Sequence, residues 1–429
     1  GLRAASPCSV VCRPPTLASM TGSITLGNHS DILIMGAGPA GLSLALAVAR
    51  HGLSVRVIDR ITPETLADTA FDGRASALAS TSWQMLQNLG LADSLWRDAC
   101  SIDRIAVSDG LRRGSLDFDA GVDGMGVMLP NSLLRAALYQ AASNDPDIDL
   151  IMAADVTDRA VDAHRATITL ADGRVFTASL LVGAEGRVSP TRDLAGIGLS
   201  QWSYRQRGIV TAVTLEKSHQ NTAFEIFYPD GPLAILPLND DDEGRAMASI
   251  VWTVPEGKAD AWTSLSDRAF GAALTEASGG FLGAITPIAP RSSWLLTLCQ
   301  ASDMVAPRIA LVGDSAHIIH PIAGQGLNLG LRDVAALADV LGEGARLGLD
   351  PGDLAQLKRY QQWRMLDNAM MASATDVLNR LYGLPGKAPS LVRRIGMQLV
   401  GRTGLIRRFI IDEARGTSGD LPELLMASD

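Results

Sequence analysis

Residues 31–60 contain the feature that most constrains the fold, a glycine-rich turn between two apolar segments. Gly36, Gly38 and Gly41 have the G-x-G-x-x-G spacing that joins a buried parallel strand to a helix. The first glycine permits a tight turn, the second lets a pyrophosphate approach the backbone, and the third lets the helix pack closely on the strand. Asp59 ends the next strand, where its carboxylate can accept hydrogen bonds from a ribose. The pattern predicts a dinucleotide-binding strand–helix–strand unit.

An alternative interpretation applies to residues 32–49, which contain no charged side chain and approach the length of a membrane-spanning helix. The spaced glycines, Pro39 and the following strand with its acidic end favour the dinucleotide unit instead. The motif alone does not separate FAD from NAD.

The composition is typical of a globular protein, with 429 residues, 47% hydrophobic and 19% charged. A net charge of -9 argues against a nucleic-acid partner, because binding to phosphates needs a basic face. The four cysteines, at positions 8, 12, 100 and 299, are too few and too dispersed for a disulfide framework, which indicates a reducing compartment. Cys8 and Cys12 have no histidine or further cysteine nearby, and we predict no metal site.

Residues 1–30 are expected to form a disordered extension, because they are rich in Ser, Thr and Pro and carry only Arg3 and Arg13 as charges. Such an acid-poor start is similar to a mitochondrial transit peptide, but two consecutive prolines interrupt any amphipathic helix. A simpler interpretation is that Met20 is the natural start. The preference for Arg over Lys is that expected of a GC-rich bacterial genome, so a mitochondrial matrix location is less favoured.

Residues 72–91 predict a turn followed by a helix that buries apolar residues at positions 78, 85, 86 and 89. Arg74 would lie at the start of this helix, where the helix dipole disfavours a cation. We therefore expect a bound anion near its guanidinium.

Further elements follow from the alternation of apolar and polar residues. We expect strands over 102–118 around a turn at Gly110, a helix over 131–142, strands over 149–170 with a hairpin turn at 172–173, and an apolar strand before the loop 183–187. Residues 198–297 then change to period-two strands with more Trp and Tyr. The predicted strands 208–215, 224–228, 233–237 and 247–254 indicate an inserted, mostly antiparallel sheet.

Residues 308–341 predict a strand over 309–312, a Gly- and Pro-rich loop, and a helix from about Leu327. The loop glycines let the backbone approach a planar ligand, and the helix N-terminus can stabilise negative charge. His317 and His320 could ligate a metal, but Asp314 is the only further ligand in the loop. We therefore interpret both as core or loop histidines bonded to backbone.

The chain from Ala355 onward is predicted to be helical. Residues 391–415 contain six arginines against Asp412 and Glu413, a net charge of +4 (6 − 2). An apolar stripe accompanies these charges at positions 391, 392, 395, 399 and 400. Such a segment either packs on the protein body, the more common outcome, or lies at a membrane surface.

Three stretches together resemble the single-component FAD-dependent aromatic hydroxylases, the flavoprotein monooxygenases similar to p-hydroxybenzoate hydroxylase: residues 36–59, 181–192 and 312–327. The segments DGRASAL, GDSAHIIHPIAGQGLNLGLRD, MASATDVLNRLY and SGDLPELL resemble more narrowly the ubiquinone-biosynthesis hydroxylases, which act on polyprenylated phenols. The resemblance covers residues 31–425.

The resemblance implies an α/β fold with three parts. Residues 31–197 and 298–345 would form a Rossmann-like FAD-binding domain, and residues 198–297 an inserted, mostly antiparallel β-sheet substrate domain. Residues 346–429 would form C-terminal helices close to a membrane.

The resemblance also assigns site residues. His320, Pro321 and Gln325 would position flavin or substrate, with no base assigned. The implied FAD-binding residues are Gly36, Gly38, Ala40, Gly41, Asp59, Arg60, Arg74, Asn131, Val156, Asp314, Pro321, Gly324, Gly326, Leu327 and Asn328.

The implied activity is ring hydroxylation with O2 as co-substrate, in which reduced flavin forms a C4a-hydroperoxide that the phenol attacks. The reductant would be NAD(P)H or a separate electron donor. Glu185 replaces the aspartate of the usual G-A-D-G motif, at a position that the family links to FAD and NAD(P)H handling.

The implied setting is the cytoplasmic side of a bacterial inner membrane, in contact with a ubiquinone-biosynthesis complex. The alternatives are a hydroxylase of small soluble aromatic compounds, a flavin-dependent prenyl reductase and a non-catalytic FAD scaffold.

Overall fold

The described part of the chain forms three β-sheets with helices packed around them. The structure is a computed structural model, and it describes residues 27–111, 116–119, 124–320, 324–383, 411–412 and 414–427. The strands are β1 (His29–Met35), β2 (Val55–Ile58), β3 (Ala75–Ala79), β4 (Cys100–Ser101), β5 (Arg104–Asp109), β6 (Leu116–Asp119), β7 (Gly126–Pro130), β8 (Ile148–Ile151), β9 (Val156–Val161), β10 (Ala166–Leu170), β11 (Val175–Gly183), β12 (Leu199–Leu215), β13 (Thr222–Tyr228), β14 (Gly231–Leu238), β15 (Ala246–Pro255), β16 (Ile285–Pro287), β17 (Ser292–Ala301), β18 (Val305–Ala306), β19 (Ile309–Leu311) and β20 (His317–Ile318). The helices are α1 (Pro39–Ala49), α2 (Pro63–Ala67), α3 (Ser80–Asn88), α4 (Ala92–Leu95), α5 (Asn131–Asn144), α6 (Pro190–Leu194), α7 (Ala259–Thr263), α8 (Asp267–Ala277), α9 (Gln325–Arg346) and α10 (Leu354–Gly383).

The predicted dinucleotide unit forms the centre of the first sheet. β1 lies between β11 and β2 and runs parallel to both, and β8 and β19 extend the parallel part on either side. Because helices cover parallel sheets on both faces, the central strand is apolar over residues 32–35, and all four are buried. The predicted strand–helix–strand order is confirmed.

The membrane-span interpretation of residues 32–49 is wrong, because a turn divides the segment into a strand and a separate helix. Within the parts of the chain that the structure describes, no helix has both the length and the apolar character needed to cross a bilayer.

The turn between β1 and α1 requires glycine at two positions. Gly36 has a φ of +113°, and a Cβ there would lie 2.3 Å from the carbonyl oxygen of Ala184. A Cβ on Gly41 would lie 1.9 Å from the carbonyl oxygen of Gly36. The turn is packed tightly between α1 and the end of β11. A side chain at either position would therefore displace backbone atoms. At Gly38, by contrast, a Cβ would meet no atom within 4 Å.

The second sheet is mostly antiparallel, as predicted. β12, β15, β14 and β13 pair in that order, and β17 pairs with the other edge of β12. One face packs on α8 in a core that includes Ile226, Leu233 and Ile250. The sheet also contains β5 and β6, from before residue 198, and β20, from after residue 297. The second sheet therefore includes chain segments from both sides of residues 198–297.

Residues 72–91 differ from the prediction of a turn followed by one helix. Residues 75–79 form β3, which pairs antiparallel with β7, and the helix begins only at Ser80. Met85 and Leu86 are buried on α3 as predicted, whereas Leu78 is buried as a strand residue. The prediction failed because alanine favours helix in isolation, while pairing with β7 decides the conformation here.

The chain beyond α9 continues into the predicted helix, as α10, which packs against α9. The apolar stripe at 391–400 and most of the basic segment lie outside the described residues, as does the start of the chain through residue 26.

A buried carboxylate joins α9, α10 and the loop after β19. Asp333 lies on α9 with no exposed surface. Its Oδ2 accepts hydrogen bonds from His317 Nε2 at 2.5 Å and from the Gly313 N–H at 3.1 Å. Its Oδ1 accepts from Arg364 Nε at 2.8 Å.

The charge of Asp333 follows from these partners. Burial alone would raise the pKa of Asp333, but His317 and Arg364 outweigh burial and lower the pKa to about 2. Because the folded pKa is below the ordinary value of 3.8, the stability that this carboxylate contributes is present above pH 3.8 and is lost as the pH falls toward 2.

Replacing Asp333 with Asn should destabilise the fold by about 3 to 5 kcal/mol, because a buried Arg364 then loses its buried counter-charge. Urea unfolding followed by circular dichroism measures the change in the free energy of unfolding. Asp230→Asn is the matched control: Asp230 pairs with Lys258 at 2.7 Å, but both side chains are largely exposed, so its loss should cost about 1 kcal/mol or less. Equal losses in the two variants would contradict the role given to Asp333.

Candidate active site

A cavity of about 750 Å³ lies where the carboxyl edge of the first sheet faces the second sheet. Open α/β sheets bind ligands at this edge. The turn after β1 and the loops after β11 and β19 form one side of the cavity, and strands of the second sheet form the other. Ten of the sequence-predicted residues meet here: Gly36, Gly38, Ala40, Asp59, Arg74, Asn131, Asp314, Gly324, Gly326 and Leu327.

A second cavity, of about 390 Å³, adjoins the first beside β2. Arg60 and Val156 line it, and it shares Gly36, Asp59 and Glu185 with the larger cavity. The two cavities together make an elongated site that passes the open side of the glycine turn. This shape fits a ligand with two ring systems joined through a pyrophosphate, as in FAD.

Asp59 is oriented by backbone at the junction of the two cavities. Its Oδ2 accepts the Ala37 N–H at 2.6 Å, and its Oδ1 accepts the Ile61 N–H at 2.9 Å. Each carboxylate oxygen has a second lone pair, so both can still accept a ribose hydroxyl. The geometry fits the role predicted for Asp59.

Arg74 and Asn131 lie on the side of the cavity formed by β3. Arg74 precedes a strand rather than a helix, so the helix-dipole argument for a nearby anion is wrong. Its guanidinium donates to Asp72 Oδ2 from Nη2 at 2.6 Å and from Nε at 2.9 Å. Asn131 begins α5, and its Oδ1 accepts from Ser76 Oγ at 2.7 Å.

The loop after β19 and the start of α9 form the opposite end of the cavity. Asp314 is exposed to the cavity, yet the surrounding protein removes enough water to raise the pKa of its carboxyl group, and the charges of His317 and Arg187 lower that pKa in part. Gly324 has a φ of +65° and caps α9, whose first N–H groups have no side-chain cap. Because Gly324 and Gly326 line the cavity, the helix N-terminus lies beside it and can stabilise a negatively charged ligand.

The two loop histidines are buried side chains with different surroundings. His317 bonds to the Asp333 carboxylate, and not to backbone as we expected. His320 is fully buried, and its ring packs edge-on against Tyr204 with the ring centroids 5.0 Å apart. In the described part of the chain, no cluster of three His, Cys, Asp or Glu side chains could hold a metal ion.

Asn328 and Gln325 support the cavity from α9. The Asn328 side chain accepts the Ala79 N–H at 2.9 Å and donates to the Ala77 carbonyl oxygen at 2.9 Å, which fixes β3 to α9. Gln325 is buried in the first turn of the helix. Pro321 lies outside the described residues.

Glu185, which departs from the usual motif, has its own structural partners. Its Oε2 accepts Ser189 Oγ at 2.7 Å and the Thr191 N–H at 3.1 Å, so it helps to cap α6. Its Oε1 lies 3.5 Å from Arg159 Nη2. Glu185, which is one methylene longer than the usual aspartate, is therefore accommodated at the border of the two cavities.

Sequence reasoning missed Glu225, which lines the larger cavity from β13. Its side chain is 8% exposed, and burial raises its pKa from 4.5 to about 8. The available signal was a single acid inside the apolar run TAFEIFY, which an ordinary buried strand would not contain.

The fold and the cavity define the class of protein. A parallel sheet with a glycine turn and Asp59 fits the ADP half of FAD, and a glycine-lined helix N-terminus fits the flavin ring. A second, antiparallel sheet closes the site, as in the FAD-dependent monooxygenases with a Rossmann-like cofactor domain.

Comparisons with known proteins support this class. The family model "FAD binding domain" matches residues 29–365, and the chain belongs to this family of FAD-dependent monooxygenases. It is 40% identical to ubiquinone hydroxylase UbiL of Rhodospirillum rubrum, over 97% of this chain and 95% of that protein. It is 34% identical to 3-demethoxyubiquinol 3-hydroxylase of Escherichia coli, over 90% of this chain and 98% of that protein.

A solved structure shows the same fold. The crystal structure of p-nitrophenol 4-monooxygenase PnpA from Pseudomonas putida aligns with a TM-score of 0.74, over 90% of this chain and 98% of that chain. The two sequences are 19% identical.

Replacing Gly41 with Ala should weaken FAD binding by about 1 to 3 kcal/mol, because the new methyl group must displace the turn that passes the pyrophosphate. Equilibrium titration of the apoprotein with FAD measures the dissociation constant. Gly257→Ala is the control, since a Cβ there meets no atom within 4 Å. Unchanged FAD affinity in the Gly41 variant would contradict the placement of the pyrophosphate.

Proposed function

We propose that this protein hydroxylates the aromatic ring of a polyprenylated phenol in ubiquinone biosynthesis, with FAD as cofactor and O2 as co-substrate. The observation that carries the proposal is the apolar wall that the second sheet presents to the FAD-binding side of the cavity. Val210, Leu236, Val251 and Leu296 belong to this wall, from four different strands. Such a wall suits an aromatic ring with a hydrocarbon chain better than a small polar substrate. The names of the relatives from Rhodospirillum rubrum and Escherichia coli support the same substrate class.

FAD, when bound and reduced by NAD(P)H or by a separate electron donor, would activate O2 and supply the oxygen atom. The residues of this chain bind and orient the reactants. Asp59 and the glycine turn would hold the ADP half, Asp314 the ribityl region, and the N-terminus of α9 the charged edge of the flavin. The apolar wall would exclude water from the ring and so favour oxygen transfer over loss of peroxide.

An exposed aromatic side chain at the cavity is consistent with entry of the substrate from a lipid phase. Trp294 lines the cavity and is 53% exposed. Exposed Trp side chains are enriched where a protein meets the membrane interface. We infer that the protein associates peripherally with the inner membrane from the cytoplasmic side, where it would meet a polyprenylated substrate and other ubiquinone-biosynthesis proteins.

The proposal predicts that the reduced holoenzyme, mixed with isotopically labelled O2 and a short-chain prenylated phenol in detergent micelles, adds one labelled oxygen atom to the ring. Chemical reduction before mixing makes the result independent of the natural electron donor. Mass spectrometry of the product gives both the label and the ring position.

Two other results would contradict this function. Reduction of prenyl double bonds without O2 consumption would indicate a reductase. Turnover of short soluble phenols together with rejection of every prenylated one would indicate a soluble aromatic substrate.

A further inference from the structure

Glu225 lies at the β13 end of the apolar wall. In the register of the second sheet it lies opposite Ala234, which lies opposite Val251, which lies opposite Val210. Paired residues point to the same face of a sheet, and all four line the cavity. Among the described residues that line the cavity from this sheet, Glu225 alone has an ionisable side chain.

Among the described side chains, none supplies a counter-charge to the carboxyl group of Glu225. None of the ion pairs or hydrogen bonds of the described residues includes it, and burial alone raises its pKa. β14 has no titratable residue, and β5 places Val107 opposite Glu225, with Arg104 and Asp109 at its ends. The other charged residues of the cavity belong to its FAD-binding side: Asp59, Arg74, Arg135, Glu185 and Asp314.

Helix α10 also packs on β13. In the part of that helix whose side chains are described, the acidic and basic groups pair elsewhere or face solvent. Arg359 pairs with Glu343, Arg364 with Asp333, Asp367 with Arg332 and Arg364, and Lys358 is exposed.

A buried, unpaired acid is unfavourable for folding, so an apolar residue would stabilise this wall better. A group kept at such a cost in a ligand cavity is a candidate for chemistry. Ring hydroxylation requires a base, because a phenol attacks an electrophilic oxygen readily only as its phenolic proton leaves.

We propose that Glu225 accepts the phenolic proton of the bound substrate. The inference rests on the function proposed above. It names a catalytic base, which the sequence did not provide.

Glu225 takes up the phenolic proton as the ring forms its new bond to oxygen. The phenolic O–H bond breaks, its proton passes to the Glu225 carboxylate, and its electron pair forms the carbonyl bond of a dienone. A ring carbon forms the new C–O bond with one atom of O2, and the other atom leaves as water, with two electrons supplied by the reduced flavin. The dienone then loses the proton on that carbon to solvent and recovers its hydroxyl proton from Glu225. That released proton and the two protons that accompany the flavin's electrons supply the new hydroxyl group and the water.

The carboxylate is the proton-accepting form, so the rate should rise with pH. With a folded pKa of about 8, wild-type kcat/KM for a phenol should increase as the pH approaches 8. A pKa closer to that of a phenol also makes the transfer less unfavourable than it would be with an ordinary carboxylate.

The test compares the holoenzymes of wild type, Glu225→Gln and Glu276→Gln, each reduced in advance and mixed with O2. The substrates are a short-chain prenylated phenol and its ring-fluorinated analogue, which ionises at lower pH. We expect Glu225→Gln to hydroxylate the plain phenol about 100- to 10,000-fold more slowly, to lose the rise toward pH 8, and to release hydrogen peroxide instead. Glu276, an exposed acid on α8 outside this cavity, should behave as wild type.

The fluorinated phenol separates proton transfer from general damage. Above its own pKa this substrate needs no base, so the rate ratio of wild type to Glu225→Gln should shrink markedly. An equally large ratio for both substrates, or wild-type rates in Glu225→Gln, would overturn the proposal. If wild type hydroxylates neither phenol, the proposed function itself fails, which is a different result.

Stability gives a readout that needs no substrate. A folded pKa raised above 4.5 means that the stability from Glu225 is present below pH 4.5 and is lost as the pH rises through about 8. The melting temperature of wild type relative to Glu225→Gln should therefore fall between pH 5 and pH 8, and Glu225→Met should melt above wild type at pH 8. A lower melting temperature for Glu225→Met at pH 8 would indicate a structural role and would overturn the proposal.

Discussion

The ionised carboxylate of Asp333 fixes the parts of the chain that close the cofactor side of the cavity. It receives hydrogen bonds from the loop after β19, through Gly313 and His317, and from α10, through Arg364. Because Asp333 itself lies on α9, the position of that helix N-terminus beside the cavity depends on the same ion. A buried charge of this kind is favourable only when all its hydrogen-bond partners are in place. We therefore expect the loop, α9 and α10 to fold cooperatively.

The cavity has two chemically different sides because it lies between two different kinds of sheet. The parallel sheet ends in loops whose backbone N–H groups and glycines suit a phosphate and a flavin. The antiparallel sheet alternates its side chains, so one face can form a core with α8 while the other remains an apolar wall. Pairing of β5 with β13, more than a hundred residues away in sequence, and of β20 with β17 brings chain segments from before and after residues 198–297 into the second sheet.

The sequence was sufficient for features that depend on local spacing. Gly36, Gly41 and Asp59 form the predicted unit because the turn, the helix and the acidic strand end each have a local cause. β3 was mistaken for helix because its partner strand β7 lies about fifty residues away in sequence. The hydrogen bonds of Asn328 to the backbone of β3, and the place of Glu225 in the cavity, likewise depend on long-range contacts that no local pattern contains.

Asp333 and Glu225 show how different surroundings give two buried carboxyl groups different pKa values. Both are removed from water, and burial raises the pKa of each. His317 and Arg364 reverse this effect for Asp333 and hold its pKa at about 2, so it stays ionised and has a structural role. Glu225 has apolar neighbours, and its pKa of about 8 lies in the range where a group can both take up and return a proton. The difference in pKa suits Asp333 to a structural role as a permanent charge. It suits Glu225 to proton exchange with a substrate in the cavity.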